Sequence, residues 1–114
     1  MTTLRDLIDR YTEAYHQRDE TTFRSMVADG CLRHDPGSTV AVPIEDNVAR
    51  FRAFHAQFPG ARFTNARTWE HGDAITVCYT IEAGDTVLSG IEVFRFDGGR
   101  IVEVWNTPPG KGAW

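Results

Sequence analysis

The sequence predicts an α+β domain in which three helices precede an antiparallel sheet, and three observations carry that prediction. Apolar residues recur at helical spacing as far as Phe58. The period changes to two after Gly60 and stays there. Turn residues then separate the alternating stretches at His71-Gly72-Asp73, Gly84-Asp85 and Asp97-Gly98-Gly99. A chain of 114 residues has room for one core, so residues 1–114 are read as a single domain. Its hydrophobic fraction of 41% and charged fraction of 25% are ordinary for a globular protein. A net charge of -4 with scattered arginines argues against a nucleic-acid partner, which would call for a basic stripe.

The first helix runs from Thr3 to Arg18. Leu4, Leu7, Ile8, Tyr11, Ala14 and Tyr15 form its apolar stripe, and Thr3 is placed to cap it. Tyr11 lies in the middle of that stripe, either as a core aromatic whose hydroxyl finds a carbonyl or as a functional hydroxyl. Asp19 caps a second helix, Glu20 to Ala28, which buries Phe23, Met26 and Val27 and is stopped by Gly30. Cys31 and Leu32 lead to the corner His34-Asp35-Pro36-Gly37-Ser38, where Asp35 is a turn former or a base. The third helix spans about Pro43 to Phe58, with Ile44, Val48, Phe51, Phe54, His55 and Phe58 on its apolar face.

Four strands follow: Arg62 to Glu70, Ala74 to Ala83, Thr86 to Phe96 and Arg100 to Thr107. Tight turns make them an antiparallel meander with the helices packed on one face. The Pro108-Pro109-Gly110 tail ends the sheet.

Cys31 and Cys78 are far apart and read as reduced core thiols. The charged N-terminus lacks the apolar run of a signal peptide and no segment approaches membrane-spanning length, so a cytoplasmic protein without a membrane partner is expected. His16, His34, His55 and His71 show no ligand spacing on one element, and no metal is expected. Gly110-Lys111-Gly112 lacks the pattern of a phosphate loop, and Trp69, Trp105 and Trp114 read as core or interface residues.

Glu92 is the most informative residue of the third strand. Alternation puts it on one face with Leu88, Gly90, Phe94 and Phe96, and Val87, Ser89, Ile91, Val93 and Arg95 on the other. Either the Val93 face is the core and Glu92 is solvated, or Glu92 sits among phenylalanines as a protonated hydrogen-bond donor. Gly90 beside it makes a bulge or leaves room. If the helices close over a bent sheet, Tyr11, Asp35 and Glu92 converge in one apolar pocket. One carboxylate base facing two neutral donors suits proton abstraction next to a carbonyl.

Arg10-Tyr11, Val27-Ala28-Asp29, His34-Asp35-Pro36-Gly37-Ser38, Ile91 through Asp97 and Gly99-Arg100-Ile101 together resemble the ketosteroid isomerases of the nuclear-transport-factor-like superfamily. The resemblance implies a conical fold in which a strongly curved, mixed but mainly antiparallel sheet and three helices enclose an apolar pocket. It adds a strand around Thr39 to Ala41 and a homodimer through the outer sheet face. It places Asp35 on the general base, Tyr11 on the oxyanion tyrosine and Glu92 on a second donor, an aspartic acid in the family that its apolar site keeps protonated. Phe54, Phe58, Tyr79 and Trp105 would line the pocket around a small hydrophobic ligand. His34, beside the corner, is read as a substrate-binding residue that orients Asp35 or faces solvent. No cofactor is implied. The same superfamily holds polyketide cyclases of the SnoaL-like kind and non-catalytic binding modules. It also holds epoxide hydrolases, whose Asp-Arg-Asp set is not evident in the sequence.

Overall fold

The computed structural model describes residues Met1–Trp114. Its helices are α1 (Leu4–His16), α2 (Glu20–Met26) and α3 (Ile44–Gln57). Its strands are β1 (Val27–Asp35), β2 (Ser38–Val42), β3 (Arg62–His71), β4 (Ala74–Ala83), β5 (Thr86–Asp97), β6 (Arg100–Asn106) and β7 (Gly110–Lys111).

Local chemistry explains where the helices begin. Thr3 closes a capping box on α1: its hydroxyl accepts from the Asp6 N–H at 3.0 Å and the Asp6 carboxylate accepts from the Thr3 N–H at 3.0 Å. Asp19 accepts from the Thr22 N–H at 3.0 Å to start α2. That helix ends at Met26, not Ala28, because Val27 is already extended and opens β1. Gly30 does have a positive φ of 74°, yet it serves a different end from the helix stop expected of it. It lies where the β1–β6 register slips between Val27 and Leu32, so its left-handed conformation supports a bulge inside a strand.

The sheet order is β2-β1-β6-β5-β4-β3, with β7 paired to β5. The expected meander is its β3–β6 half. β1 joins it parallel to β6 and carries β2 antiparallel at the edge, which makes the sheet mixed. Further register shifts between Asn65 and Arg67 and between Arg95 and Phe96 bend the strands and curve the sheet. The tail does not simply end the sheet, because β7 and the residues after it fold back on β5 and β4. The Trp114 indole donates to the Tyr79 carbonyl at 2.8 Å and Ser89 donates to the Gly112 carbonyl at 2.6 Å.

Helices cover the concave side. There Ile75 and Val77 of β4, Phe94 and Phe96 of β5, and Ile101 of β6 pack with Ile8, Phe23, Val48 and Phe51. Phe51 is 2% exposed and its ring centroid lies 4.5 Å from that of Phe23, so truncating it to alanine should cost about 3–5 kcal/mol. Both cysteines are free and buried. No helix is long and apolar enough to cross a membrane.

Candidate active site

Between the helices and the concave face lies a cavity of about 200 Å³. Tyr11 of α1, Arg33 of β1, Phe54 of α3, Tyr79 of β4, Glu92 of β5 and Asn106 of β6 all line it. Helical spacing turns Tyr11 and Phe54 toward it, and strand alternation places the other four. Glu92 stands opposite Val77 and Asn106 in its two ladders, and Phe94 is the next residue on the same face. The inward face of β5 is therefore the one bearing Glu92, and the Val93 face is the outer one.

Burial dominates the electrostatics of Glu92 and pushes its carboxyl up to about 7. The Arg33 guanidinium works against that shift and the negative charge of Asp35 adds to it. Glu92 is thus poised between acid and carboxylate at neutral pH. Burial also holds the Tyr11 hydroxyl well above the usual tyrosine range, with Tyr15 and Glu92 adding to the effect, so Tyr11 is a neutral donor. Its ring is fixed edge-on against Tyr15 at 5.3 Å and Phe94 at 5.6 Å. Tyr79, pushed up to about 12 by burial and by Glu92, stays neutral as well.

Asp35 is placed differently from Tyr11 and Glu92. It shares the concave side of β1 with Arg33, two residues before it, and accepts from Arg33 Nε at 3.1 Å. Its side chain is 42% exposed, and it lies outside the cavity lining and borders an outer groove. The Pro36-Gly37 turn that joins β1 to β2, with Gly37 at a φ of 81°, fixes it at the end of β1. The structure therefore brings Tyr11 and Glu92 into one cavity and leaves Asp35 outside its lining, close enough for its charge to act on Glu92.

Three expected lining residues are elsewhere. His34 and Trp105 alternate away from Arg33 and Asn106, so both lie on the convex face. There they stack at 4.9 Å with planes 12° apart and border an outer groove instead of the cavity. His34 does not orient Asp35 by a direct bond: its Nδ1 pairs with Thr39 at 2.8 Å and its Nε2 with Glu103 at 2.6 Å. Phe58 packs on Phe54 at 5.3 Å and backs the cavity wall without reaching the cavity. Phe54 and Tyr79 line it as expected.

Arg33 and Asn106 are polar lining residues that the sequence pattern does not single out. Arg33 was hidden because β1 was not recognised as a strand; with that strand in place, an Arg two residues before Asp35 falls on the same face. Asn106 is the cross-strand neighbour of Glu92, and its Oδ1 is buried without a hydrogen-bond partner. Asn65 also lines the cavity but is committed, donating to Thr12 at 3.0 Å.

The sequence profile of the SnoaL-like domain matches residues 8–104. No curated protein matches the chain. Several solved structures share its fold. A SnoaL-like polyketide cyclase from Agrobacterium tumefaciens superposes with a TM-score of 0.81 at 13% identity, covering 93% of this chain and 91% of its own. A protein assigned as a ketosteroid isomerase from Kribbella flavida gives 0.77 at 17% identity, covering 96% of this chain and 79% of its own. An epoxide hydrolase of the LEH-like kind from M. tuberculosis gives 0.70 at 18% identity, covering 89% and 78%. Three different reactions are named on one architecture, so the fold alone does not choose among them.

Proposed function

The chain belongs to the SnoaL-like domain family, and on that footing we propose that it is an acid–base enzyme that isomerises a small, hydrophobic, enolisable ketone. One observation carries the reading. A carboxyl group with its acid strength tuned to about 7 lies beside a neutral tyrosine in a largely apolar cavity, and a second carboxylate, bonded to the lining residue Arg33, acts on it from outside the lining.

The Asp35 carboxylate takes a proton from the carbon next to the substrate carbonyl. The electron pair left behind moves onto the carbonyl oxygen, where Tyr11 and protonated Glu92 donate hydrogen bonds to the dienolate. Asp35 then returns the proton further along the chain, and the double bond ends in conjugation with the carbonyl. Losing one such donor typically costs about 100- to 1000-fold in rate.

Size narrows the substrate. A cavity of 150 Å³ holds roughly one benzene ring, so about 200 Å³ encloses one ring with its substituents, and anything longer must protrude from it. A four-ring steroid would not be enclosed.

The test is ultraviolet detection of a conjugated enone formed from a β,γ-unsaturated cyclohexenone. Asp35→Asn should lose roughly a hundred- to ten-thousandfold. Glu92→Gln should keep most of the rate because its amide still donates, whereas Glu92→Leu should not. A folded wild type that turns over no such ketone would remove the isomerase reading, leaving ring closure by the same enolate chemistry or simple ligand binding.

Arg33 favours a second reading. It is paired to Asp35 and shares the cavity wall with Glu92, an acid–arginine–acid set that the sequence did not display. In an epoxide hydrolase of this superfamily one acid would protonate the epoxide oxygen while the other took a proton from the attacking water. Glu92→Gln is then inactive, which separates the two readings.

We also propose that two copies pair through the convex face of the sheet, where large apolar side chains are exposed.

A further inference from the structure

Arg33 is the one charged group in the cavity lining that the proposed isomerisation leaves without a task. It hydrogen-bonds to protein through Nε alone, to Asp35 at 3.1 Å, so both terminal nitrogens are free of protein acceptors. Its side chain is 26% exposed, and the residue lines the main cavity and a smaller one of about 70 Å³ beside it. The neighbouring polar groups can answer one another. The Tyr11 and Tyr79 hydroxyls are neutral donors, and Glu92 and the unpartnered Oδ1 of Asn106 are acceptors in the same lining. Arg33 alone brings a permanent positive charge, with two terminal nitrogens unmatched by protein, into a space lined by 14 residues of which nine are hydrophobic.

A buried donor left unmatched is costly, so the occupant should bring acceptor oxygens of its own. A guanidinium with its Nε already committed still offers its terminal nitrogens to a planar two-oxygen anion. We propose that the natural ligand of this cavity carries a carboxylate held by the terminal nitrogens of Arg33, which makes the substrate a small hydrophobic keto acid. The keto part of that statement rests on the function proposed above; the carboxylate part rests on Arg33 alone.

A second consequence follows from the surroundings of Glu92, which faces Arg33 and Asp35 of β1, Tyr11 and Tyr15 of α1 and Tyr79 of β4. A ligand carboxylate adds a negative charge near it and draws some of the Arg33 field away. Both effects favour the protonated form of Glu92, so the complex takes up a proton as it forms. Affinity should therefore weaken as pH rises above about 7, approaching tenfold per pH unit.

The experiment compares phenylacetate with benzyl methyl ketone, the same skeleton with a methyl in place of the charged oxygen. Binding is measured by calorimetry at pH 6 and pH 8 in buffers of different ionisation heat. The wild type should bind phenylacetate at least about tenfold more tightly than the ketone at pH 6, where Glu92 is already mostly protonated, and proton uptake should appear at pH 8 as a buffer-dependent heat. Arg33→Met should abolish the preference and Arg33→Lys should keep part of it, each variant being checked for native circular dichroism. Equal or weaker binding of phenylacetate by the wild type, or a preference surviving in a folded Arg33→Met, would overturn the proposal. The wild-type comparison decides the matter even if the methionine variant does not fold. Ketone turnover with no phenylacetate preference would leave the isomerase reading standing and remove only this one. Phenylacetate binding without turnover of any ketone would do the reverse.

Discussion

Tyr79 and Gly90 face each other across the β4–β5 ladder, and the tyrosine ring occupies the space a side chain at position 90 would need. A Cβ on residue 90 would lie 2.5 Å from the Tyr79 hydroxyl oxygen and 2.8 Å from Cζ. Gly90 is therefore kept for volume and not for backbone freedom, since its φ is not in the left-handed region. The pair sets one wall of the cavity.

Gly90→Ala should accordingly force Tyr79 off its seat. Overpacking of this kind typically costs about 1–3 kcal/mol, read as a lower midpoint in urea unfolding. Combining it with Tyr79→Ala removes the clash, so the double variant should be more stable than the sum of the two single losses implies. A Gly90→Ala protein as stable as wild type would show that the ring is free to move away at no cost.

Glu103 holds together the convex side behind the Asp35 corner. Its carboxylate accepts from Arg95 Nε at 2.9 Å and pairs with His34 Nε2 at 2.6 Å, and these bonds, His34 first, hold its pKa below the usual range. A depressed carboxylate stabilises the fold above its unfolded pKa and loses that contribution as pH falls through the folded one. Glu103→Gln should cost about 1–3 kcal/mol near neutral pH. The difference from wild type should shrink in acid, which unfolding curves at pH 7 and pH 3 would reveal. A gap that does not depend on pH would mean the charge is not what matters.

The elements that were legible in the sequence share a cause. α1, α3 and the β3–β6 meander carry long unbroken periods, and the turns between the strands carry glycine. β1 was not legible because Asp29-Gly30 interrupts its alternation and its main support is a parallel partner about 70 residues away, a long-range pairing that no local pattern reports. The site inherited that gap. Tyr11 and Glu92 lie on faces that the pattern displays, whereas His34 has no recognised strand to say which way it alternates, and Trp105, although in a recognised strand, has no register to β5 in the sequence to say which face is inward. Arg33, one position from His34, was missed for the same reason.

The proposed dimer rests on what the convex face exposes. Leu32, Trp69, Ile91 and Trp105 are 37%, 52%, 42% and 39% exposed, and Trp69, Thr76, Val93 and Trp105 form one cross-strand row. A patch rich in tryptophan suits an isologous contact of about 800 Å² per copy. Light scattering should give twice the 12.8 kDa of the chain, and Ile91→Asp should halve that mass while leaving the circular dichroism unchanged. A monomeric wild type at micromolar concentration would end the proposal.

Glu92 ties stability and activity to the same titration, with a sign that can be worked out in advance. Its folded pKa is raised to about 7 by burial, so between its unfolded value of about 4.5 and 7 the folded state holds the proton more tightly than the unfolded chain. Stability from this group is complete below the unfolded value and declines as pH rises through that window, by roughly 3 kcal/mol in total. Glu92→Gln cannot titrate and should remove this slope, so its stability relative to wild type should climb from pH 4.5 to pH 8. Activity distinguishes the roles. If Glu92 donates as an acid, the isomerisation rate falls above about pH 7 and the glutamine variant stays flat there. If Glu92 instead acts as a base on water, the wild-type rate rises through the same pH and the glutamine variant is inactive.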